Sequence, residues 1–197
     1  MNNLIIYAHP SPNSFSNAIM NTIIELSIKN GHKIEVRDLY YINFNPVLKD
    51  CDFMGAKENR IPQEIKREQE YLRWANVITF IYPIWWLGMP AIVKGYIDRV
   101  FFHDLIFNYK SQQSEQMLMK KKVIILNPMG TSNESYEKDE MLKAMKNTCD
   151  MGIFQFCGME VIDHKFFGDI KTGDKEKRKA YLEEVEETFL KIMKDSK

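Results

Sequence analysis

The sequence predicts an α/β protein built on a doubly wound parallel sheet, and two observations carry this prediction. Short apolar runs alternate along the chain with stretches of helical periodicity. The runs are rich in β-branched and aromatic residues, which is typical of strands that are buried on both faces. At 197 residues the chain is expected to form a single domain, 1–197, with one sizeable core.

The first half of the chain supplies two strands. A short apolar run predicts strand 1 at 4–8, and apolar residues spaced by three and four predict a helix at about 16–29. Gly31 is a typical stop after that helix. Strand 2 is predicted at 33–38. The segment 40–63 has little periodicity and is expected to run over the surface.

The middle of the chain supplies the strand at the centre of the predicted sheet. A charged helix at 63–74 precedes the apolar run 77–82, which we predict to be strand 3. Pro90 suits the first position of a new helix, predicted at 90–102. Another apolar run predicts strand 4 at 123–127.

The last third completes the alternation. We predict a helix at about 135–148, a short strand 5 at 160–165 and a long helix at 174–194 with one apolar stripe. Five strands with intervening helices on both faces fit the flavodoxin-like strand order 2-1-3-4-5. In such sheets ligands bind beyond the carboxyl ends of the strands, which singles out the loops 9–17, 83–89 and 127–136.

Charge and hydropathy argue against two classes of partner. Lysine plus arginine equals aspartate plus glutamate at 27 each, so no global field attracts nucleic acid or an anionic membrane. The stretch 75–93 carries no charge and is long enough for a membrane span. Pro83 and Pro90 would interrupt such a helix, however. We therefore expect neither nucleic-acid binding nor insertion into a membrane.

The cysteines and histidines indicate whether disulfides or a metal site are to be expected. Three cysteines without CxxC spacing indicate reduced thiols in a cytoplasmic protein. The apolar run near the N-terminus is too short for a signal peptide. His32, His103 and His164 lie too far apart in the sequence to suggest a metal cluster, although folding could bring any two of them together, and no metal site is expected.

The first loop, HPSPNSFSN at 9–17, is rich in hydroxyls and amides and contains no cation. A helix N-terminus can hold a phosphate through its unsatisfied N–H groups alone. Ser14 or Ser16 could equally serve as an ordinary helix cap, and by itself the loop favours capping. Neither a Walker A loop nor a GxGxxG fingerprint is present.

The second loop, 83–89, is aromatic, and the third loop, 127–136, contains a glycine. Trp85 and Trp86 stand where a flat conjugated ligand would meet an aromatic wall, although one of them could belong to the core. The third loop, NPMGTSNESY, could direct backbone N–H groups at developing negative charge, although an ordinary turn explains it as well.

Four stretches together carry a specific resemblance. YAHPSPNSFSNAI, RDLYYINFNPV, YPIWWLGMPAIVKGYIDRVF and the glycine-containing turn after strand 4 resemble the NAD(P)H:quinone oxidoreductase family with a flavodoxin-like fold. That family includes small bacterial enzymes and potassium-efflux ancillary subunits. The resemblance spans roughly 3–158. It implies FMN or FAD bound at the three loops, usually in a homodimer whose active site lies at the subunit interface.

Site residues follow from the resemblance, position by position. The flavin phosphate would be held by His9, Ser14, Phe15, Ser16 and Asn17. The edge and face of the isoalloxazine would be lined by Pro83, Ile84, Trp85, Trp86 and Leu87. Gly130, Thr131 and Tyr136 would approach the side of the ring where negative charge accumulates on reduction, with the Tyr136 hydroxyl as catalytic donor.

The chain departs from the family pattern at three places. The second of two adjacent glycines after strand 4 is here Thr131, and a histidine that related enzymes carry beyond the tyrosine is replaced by Leu142. No proton-relay histidine can therefore be assigned. The segment HDLIFNYK stands where the family has a shorter turn ending in tyrosine, so Tyr109 is a candidate substrate-pocket residue.

The resemblance implies a cytoplasmic flavoenzyme. NADH or NADPH would reduce the flavin, and a quinone or similar flat acceptor would then take the electrons in a ping-pong reaction. We expect FMN rather than FAD because the chain is short. Two alternatives remain open: a flavin-binding regulatory subunit that docks on a membrane transporter, and a one-electron carrier of flavodoxin type.

Overall fold

The computed structural model describes residues 1–57, 61–108 and 117–194, without the side chains of 55–57 and 102–108. Five strands form one sheet. They are β1 (Asn2–Tyr7), β2 (Lys33–Asp38), β3 (Val77–Ile81), β4 (Lys122–Pro128) and β5 (Glu160–Phe167).

Seven α-helices and one π-helix surround the sheet in the described parts of the chain. The α-helices are α1 (Phe15–Lys29), α2 (Asp50–Lys57), α3 (Gln63–Trp74), α4 (Ala91–Asn108), α5 (Asn133–Lys138), α6 (Met141–Lys146) and α7 (Lys175–Lys194). The π-helix spans Asn147–Gln155.

The strand order is β2-β1-β3-β4-β5 and every pair is parallel, which confirms the predicted fold class. The three inner strands β1, β3 and β4 are almost wholly buried, whereas the edge strands β2 and β5 are only partly buried. Their continuous apolar sequences place β1, β3 and β4 between two layers of helices.

Two apolar clusters cover the two faces of the sheet. One packs α3 and α4 against sheet residues such as Ile78 and Phe80. The other packs α1 and α7 against sheet residues such as Ile5 and Ile124. Helices therefore cover both faces of the sheet, so a ligand can approach the sheet at the ends of its strands.

The segment 40–63 contains a helix that the sequence did not predict, α2, in which residues 50–54 are exposed except for Asp52. The helix begins at Asp50, and Asp52 is completely buried. Arg99 of α4 donates to Asp52 from Nε at 3.2 Å and from Nη2 at 3.0 Å, and also reaches Glu64 at 3.1 Å. A buried ion pair rather than an apolar stripe docks α2, so hydrophobic periodicity could not reveal it.

The predicted helix at 135–148 is three helical segments. Glu140 has a φ of 55°, which breaks the chain between α5 and α6. After α6 the chain widens into the nine-residue π-helix, which continues to Gln155. Because π-helices commonly occur at functional sites, this π-helix is a candidate part of the ligand site. No helix among the described residues has the length and hydropathy needed to cross a membrane.

Candidate functional site

The carboxyl edge of the sheet brings the three predicted loops together, because backbone hydrogen bonds continue the ladder beyond the strands. The Ala8 N–H donates to the carbonyl of Ile81 at 3.0 Å, which joins the loops after β1 and β3. The Ile84 N–H donates to the carbonyl of Pro128 at 2.9 Å, which joins the loops after β3 and β4. The three loops therefore begin from one rigid base.

Ser14 is the helix cap of α1. Its Oγ accepts from the backbone N–H of Asn17 at 3.1 Å and lies 3.3 Å from the Tyr7 hydroxyl. The next serine, Ser16, is fully buried, and its Oγ has no hydrogen-bond partner among the residues that the structure describes. The capping interpretation of Ser14 is therefore met, while the buried hydroxyl of Ser16 is left unexplained by the protein's own contacts.

His9 and Phe15 have clear structural partners. The His9 ring meets the Trp85 ring edge to face, with 6.2 Å between centroids, so the first and second loops touch. Partial burial lowers the pKa of His9, while a contact with the Ser11 backbone opposes the shift. Phe15 packs its ring against Phe167, with 6.2 Å between centroids.

The second loop forms a tight turn in an unusual conformation. Trp85 and Gly88 pair in both directions, at 3.0 and 3.1 Å, so Trp86 and Leu87 are the two central residues of a hairpin turn. Both have positive φ, 52° and 59°, as in a type I′ turn that normally takes glycine or asparagine. Trp86 is nevertheless fully exposed. Pro83 is buried and fixes the base of the turn.

The third loop packs closely against Gly168 on one side and leaves Gly130 exposed on the other. A Cβ at Gly168, after β5, would lie 2.7 Å from the Asn133 backbone nitrogen and 2.9 Å from the Thr131 carbonyl, so only glycine permits this approach. A Cβ at Gly130 would meet nothing within 4 Å. Gly130 therefore offers exposed backbone to the crevice while Thr131 is half-buried against β5.

Tyr136 lies in α5 beside the crevice. It is half-buried and packs with Leu142 against a small cluster formed by Met129, Met145 and Phe166. In the described parts of the chain its hydroxyl has no hydrogen-bond partner, which leaves it available as a donor. Leu142 belongs to the apolar cluster, which accounts for an aliphatic side chain there. Tyr109 lies outside the described residues.

A cavity of about 230 Å³ opens behind the Trp85–Gly88 turn. Its walls are mostly apolar, and its polar contributors are few. The lining residues are Tyr82, Ile84, Leu87, Gly88, Met89, Lys94, Asn127, Met141, Ala144, Met145, Thr148, Cys149, Ile153, His164 and Phe166. A pocket of this kind, apolar with a few convergent polar groups, is the usual form of a small-molecule site.

The polar floor of this cavity is a network that the sequence did not predict. His164 of β5 contacts Asp150 through Nδ1 at 2.6 Å and Asn127 Oδ1 through Nε2 at 2.7 Å. The Asn127 amide nitrogen donates to the carbonyl of Tyr82 at 3.0 Å, which fixes Oδ1 toward the histidine. No sequence spacing links these four residues, because they come from the residue after β3, from β4, from the π-helix and from β5.

Cys149 lies beside the histidine. Its Sγ and the Tyr82 hydroxyl share a hydrogen bond of 3.4 Å. Burial raises the pKa of the Cys149 thiol to about 12, and burial also raises the pKa of Tyr82 well above its ordinary value. Both groups are therefore neutral at physiological pH in the absence of another ligand.

The family assignment rests on comparison with known proteins. A family model for the flavodoxin-like fold matches residues 1–189. The chain belongs to the flavodoxin-like fold family. A relative from Haemophilus influenzae, named an uncharacterized NAD(P)H oxidoreductase, is 38% identical over 184 residues, covering 93% of this chain and 91% of the relative.

Solved structures agree with that assignment. An NAD(P)H:quinone oxidoreductase from Methanothermobacter marburgensis superposes with a TM-score of 0.83 at 26% identity, covering 95% of this chain and 94% of that chain. An FMN-dependent NADH-azoreductase from Bacillus anthracis, solved with FMN, has a TM-score of 0.68 at 18% identity, covers 97% and 98% of the two chains, and shows the fold alone. The predicted family and the predicted class, an oxidoreductase enzyme, are confirmed.

Proposed function

We propose that this flavodoxin-like protein is a flavin-dependent NAD(P)H oxidoreductase that reduces quinones or similar flat acceptors. The turn Trp85–Gly88 carries the proposal. It holds Trp86 fully exposed in backbone that favours glycine. Strained backbone at an exposed aromatic residue has no explanation in packing, whereas a flat conjugated ligand at the crevice would use the indole. The relative from Haemophilus influenzae and the solved structure from Methanothermobacter marburgensis are both named as NAD(P)H oxidoreductases.

The residues present fit a flavin at this edge. The buried Ser16 hydroxyl, which lacks a partner, lies in the first turn of α1 where a phosphate would meet unsatisfied N–H groups. A Cβ at Gly130 would meet only open space, so backbone can approach a ring closely. We expect His9, Ser14, Ser16 and the backbone of 15–17 to hold the phosphate.

A bound flavin would supply hydride chemistry, accepting electrons from NADH or NADPH and passing them to the acceptor in separate ping-pong half-reactions. The protein's own task is then orientation and charge. Pro83, Ile84 and Leu87 would line the ring by backbone contacts. The free hydroxyl of Tyr136 and the N–H groups of 130–131 would face the region that gains negative charge.

We infer FMN rather than FAD because the short chain offers no evident extra region for an adenosine half. A homodimer with the site at its interface is part of the proposal, since a fully exposed Trp86 would be covered by a second subunit. Tyr109 remains a predicted substrate contact. The three cysteines, all in described parts of the chain and none in a disulfide, agree with the cytoplasmic location that we infer.

The purified protein tests this proposal directly. We expect a yellow protein whose released pigment has the mass of FMN, and NADH- or NADPH-dependent reduction of a soluble quinone. Size-exclusion chromatography with light scattering should give twice the chain mass of 23.3 kDa. A colourless protein that takes up no added flavin would overturn the flavin assignment.

Each alternative predicts a different outcome in the same assays. Tight flavin binding with no turnover of NADH or NADPH against quinone or azo dye would favour a regulatory subunit that docks on a transporter. Turnover only with one-electron partners would favour a carrier of flavodoxin type. No described contact favours either alternative.

A further inference from the structure

The cluster at the floor of the cavity behind the Trp85–Gly88 turn has the composition of a metal site. Cys149, Asp150 and His164 each offer one ligand atom, and these three atoms lie within 4.8 Å of one another. It is the one group of this kind among the described residues. We propose that these three side chains bind a divalent transition-metal ion of the zinc class.

The donor set suits such an ion. Thiolate, imidazole and carboxylate are the three ligand types that zinc takes in proteins, at about 2.0–2.3 Å. A tetrahedral ion at those distances holds its ligand atoms about 3.3–3.6 Å apart. Atoms that are now up to 4.8 Å apart would therefore approach by at most about 1.5 Å, and the 2.6 Å contact between His164 Nδ1 and Asp150 Oδ1 would lengthen by roughly 1 Å. When deprotonated, Cys149 and Asp150 carry two negative charges, which neutralise a dication in this buried position.

The outer contacts also suit a metal. A ligating histidine usually donates its other ring N–H to a fixed acceptor, and His164 Nε2 lies 2.7 Å from Asn127 Oδ1. Asn127 is itself held by the Tyr82 carbonyl, and the Tyr82 hydroxyl lies 3.4 Å from the Cys149 sulfur as a donor to a thiolate. Two of the three ligands thus have an outer partner already in place.

One contact within the cluster would be replaced on binding. His164 Nδ1 lies 2.6 Å from Asp150 Oδ1, so these two atoms bond to each other and would separate to admit the ion between them. Binding would also release the thiol proton of Cys149 to solvent. Without an ion, the pair remains a satisfied buried contact.

The cavity supplies the open coordination position. Cys149 and His164 line it, and its volume of about 230 Å³ is ample for water or a small ligand. Structural zinc sites are closed by four protein ligands, whereas sites with three ligands keep one position for water or substrate. Cys149 and Asp150 are adjacent residues of the π-helix, a conformation that is frequent at functional sites.

Cobalt and zinc titrations of the full-length protein test the proposal. After treatment with a chelator, the chain should bind one Co²⁺ with a thiolate charge-transfer band and visible bands of tetrahedral cobalt, and Zn²⁺ should displace it. Zinc at a hundredfold excess over its Kd should raise Tm by about 5–10 °C. Absence of saturable one-to-one binding by the unmodified chain would overturn the proposal.

Variants separate this site from binding at the surface. Cys149→Ser and His164→Gln should each weaken cobalt binding more than about 100-fold, and Asn127→Ala about 10–100-fold through loss of an outer contact. Cys157→Ser, which changes another buried cysteine, should bind normally. Binding that survives in folded Cys149→Ser and His164→Gln, as judged by circular dichroism, would contradict the assignment. These readouts are independent of flavin and of turnover.

Discussion

At the scale of single residues, backbone conformation identifies function more sharply than side-chain type. The sequence predicted an aromatic loop, and either tryptophan could have belonged to the core. The structure leaves Trp86 fully exposed with a φ of 52°. An aromatic residue held at a position suited to glycine signals a role that packing does not supply.

Trp86→Gly separates stability from binding. Because a non-glycine residue in the left-handed region costs about 1–2 kcal/mol, and glycine loses part of that gain in unfolded-state entropy, we expect the free energy of unfolding to rise by about 0.5–1 kcal/mol. Flavin retention should fall, because the indole is gone. Denaturant unfolding and equilibrium dialysis with FMN measure the two effects.

Lys120→Gly is the matched control for that variant. Lys120 is also exposed with a positive φ of 60°, but it precedes β4, at the opposite end of the strands from the three loops. It should stabilise the chain by a similar amount without changing FMN affinity. If Trp86→Gly keeps full affinity, the indole does not contact the flavin.

The contribution of His9, in the first loop, to the stability of the protein depends on pH. Burial lowers its pKa from the ordinary value of 6.5, so the unfolded chain takes up the proton first as the pH falls. The contribution of His9 to stability is therefore undiminished above pH 6.5 and is lost progressively as the pH falls from there through the folded-state pKa. A phosphate beside the ring favours the charged form and should raise this pKa.

Histidine carbon-bound proton signals in an NMR titration measure that shift. The His9 signal is assigned by its loss in His9→Gln. The pKa that it reports should lie below 6.5 in the flavin-free chain and should rise when FMN is added. A His9 pKa that FMN does not change would remove His9 from the phosphate site.

At the scale of elements, prediction succeeded where apolar periodicity determines structure and failed where other forces do. The runs that became β1, β3 and β4 are continuous and apolar, and all three strands lie within a residue or two of their predicted bounds. Helix α2 was missed because the buried pair Arg99–Asp52 holds it. The π-helix was missed because its register depends on tertiary contacts, and so was the cavity floor that it completes.

Helix α4 depends on a glycine for its packing. A Cβ at Gly95 would clash with the backbone carbonyl and the Cβ of Pro46, in the segment that leads to α2. Gly95→Ala should therefore lower the free energy of unfolding by about 2 kcal/mol or more, although alanine ordinarily favours a helix by about 1 kcal/mol.

Gly152→Ala provides the contrast. A Cβ there would meet only the Asn147 carbonyl at 3.6 Å, an ordinary contact, so stability should be unchanged or slightly raised. Urea denaturation of both variants measures the difference. Equal effects would show that segment 42–48 yields to the methyl group at Gly95.

At the scale of the whole molecule, the three cysteines report how the core opens. Cys51 is exposed on α2, whereas Cys149, within the π-helix, and Cys157, just after it, are both buried in the first core cluster. Burial also raises the pKa of Cys149 to about 12, so little thiolate forms in the native state at pH 8.

One thiol per chain should therefore react rapidly with a disulfide reagent at pH 8, and three after denaturation. Cys51→Ser should abolish the rapid phase and leave the slow phase, whose rate follows opening of the core. Zinc should slow the remaining reaction of Cys149 further if the proposed metal site exists. A second rapidly reacting thiol in the native chain that disappears in Cys149→Ser would mean that the π-helix opens independently of the sheet, since Cys149 alone lies within that helix.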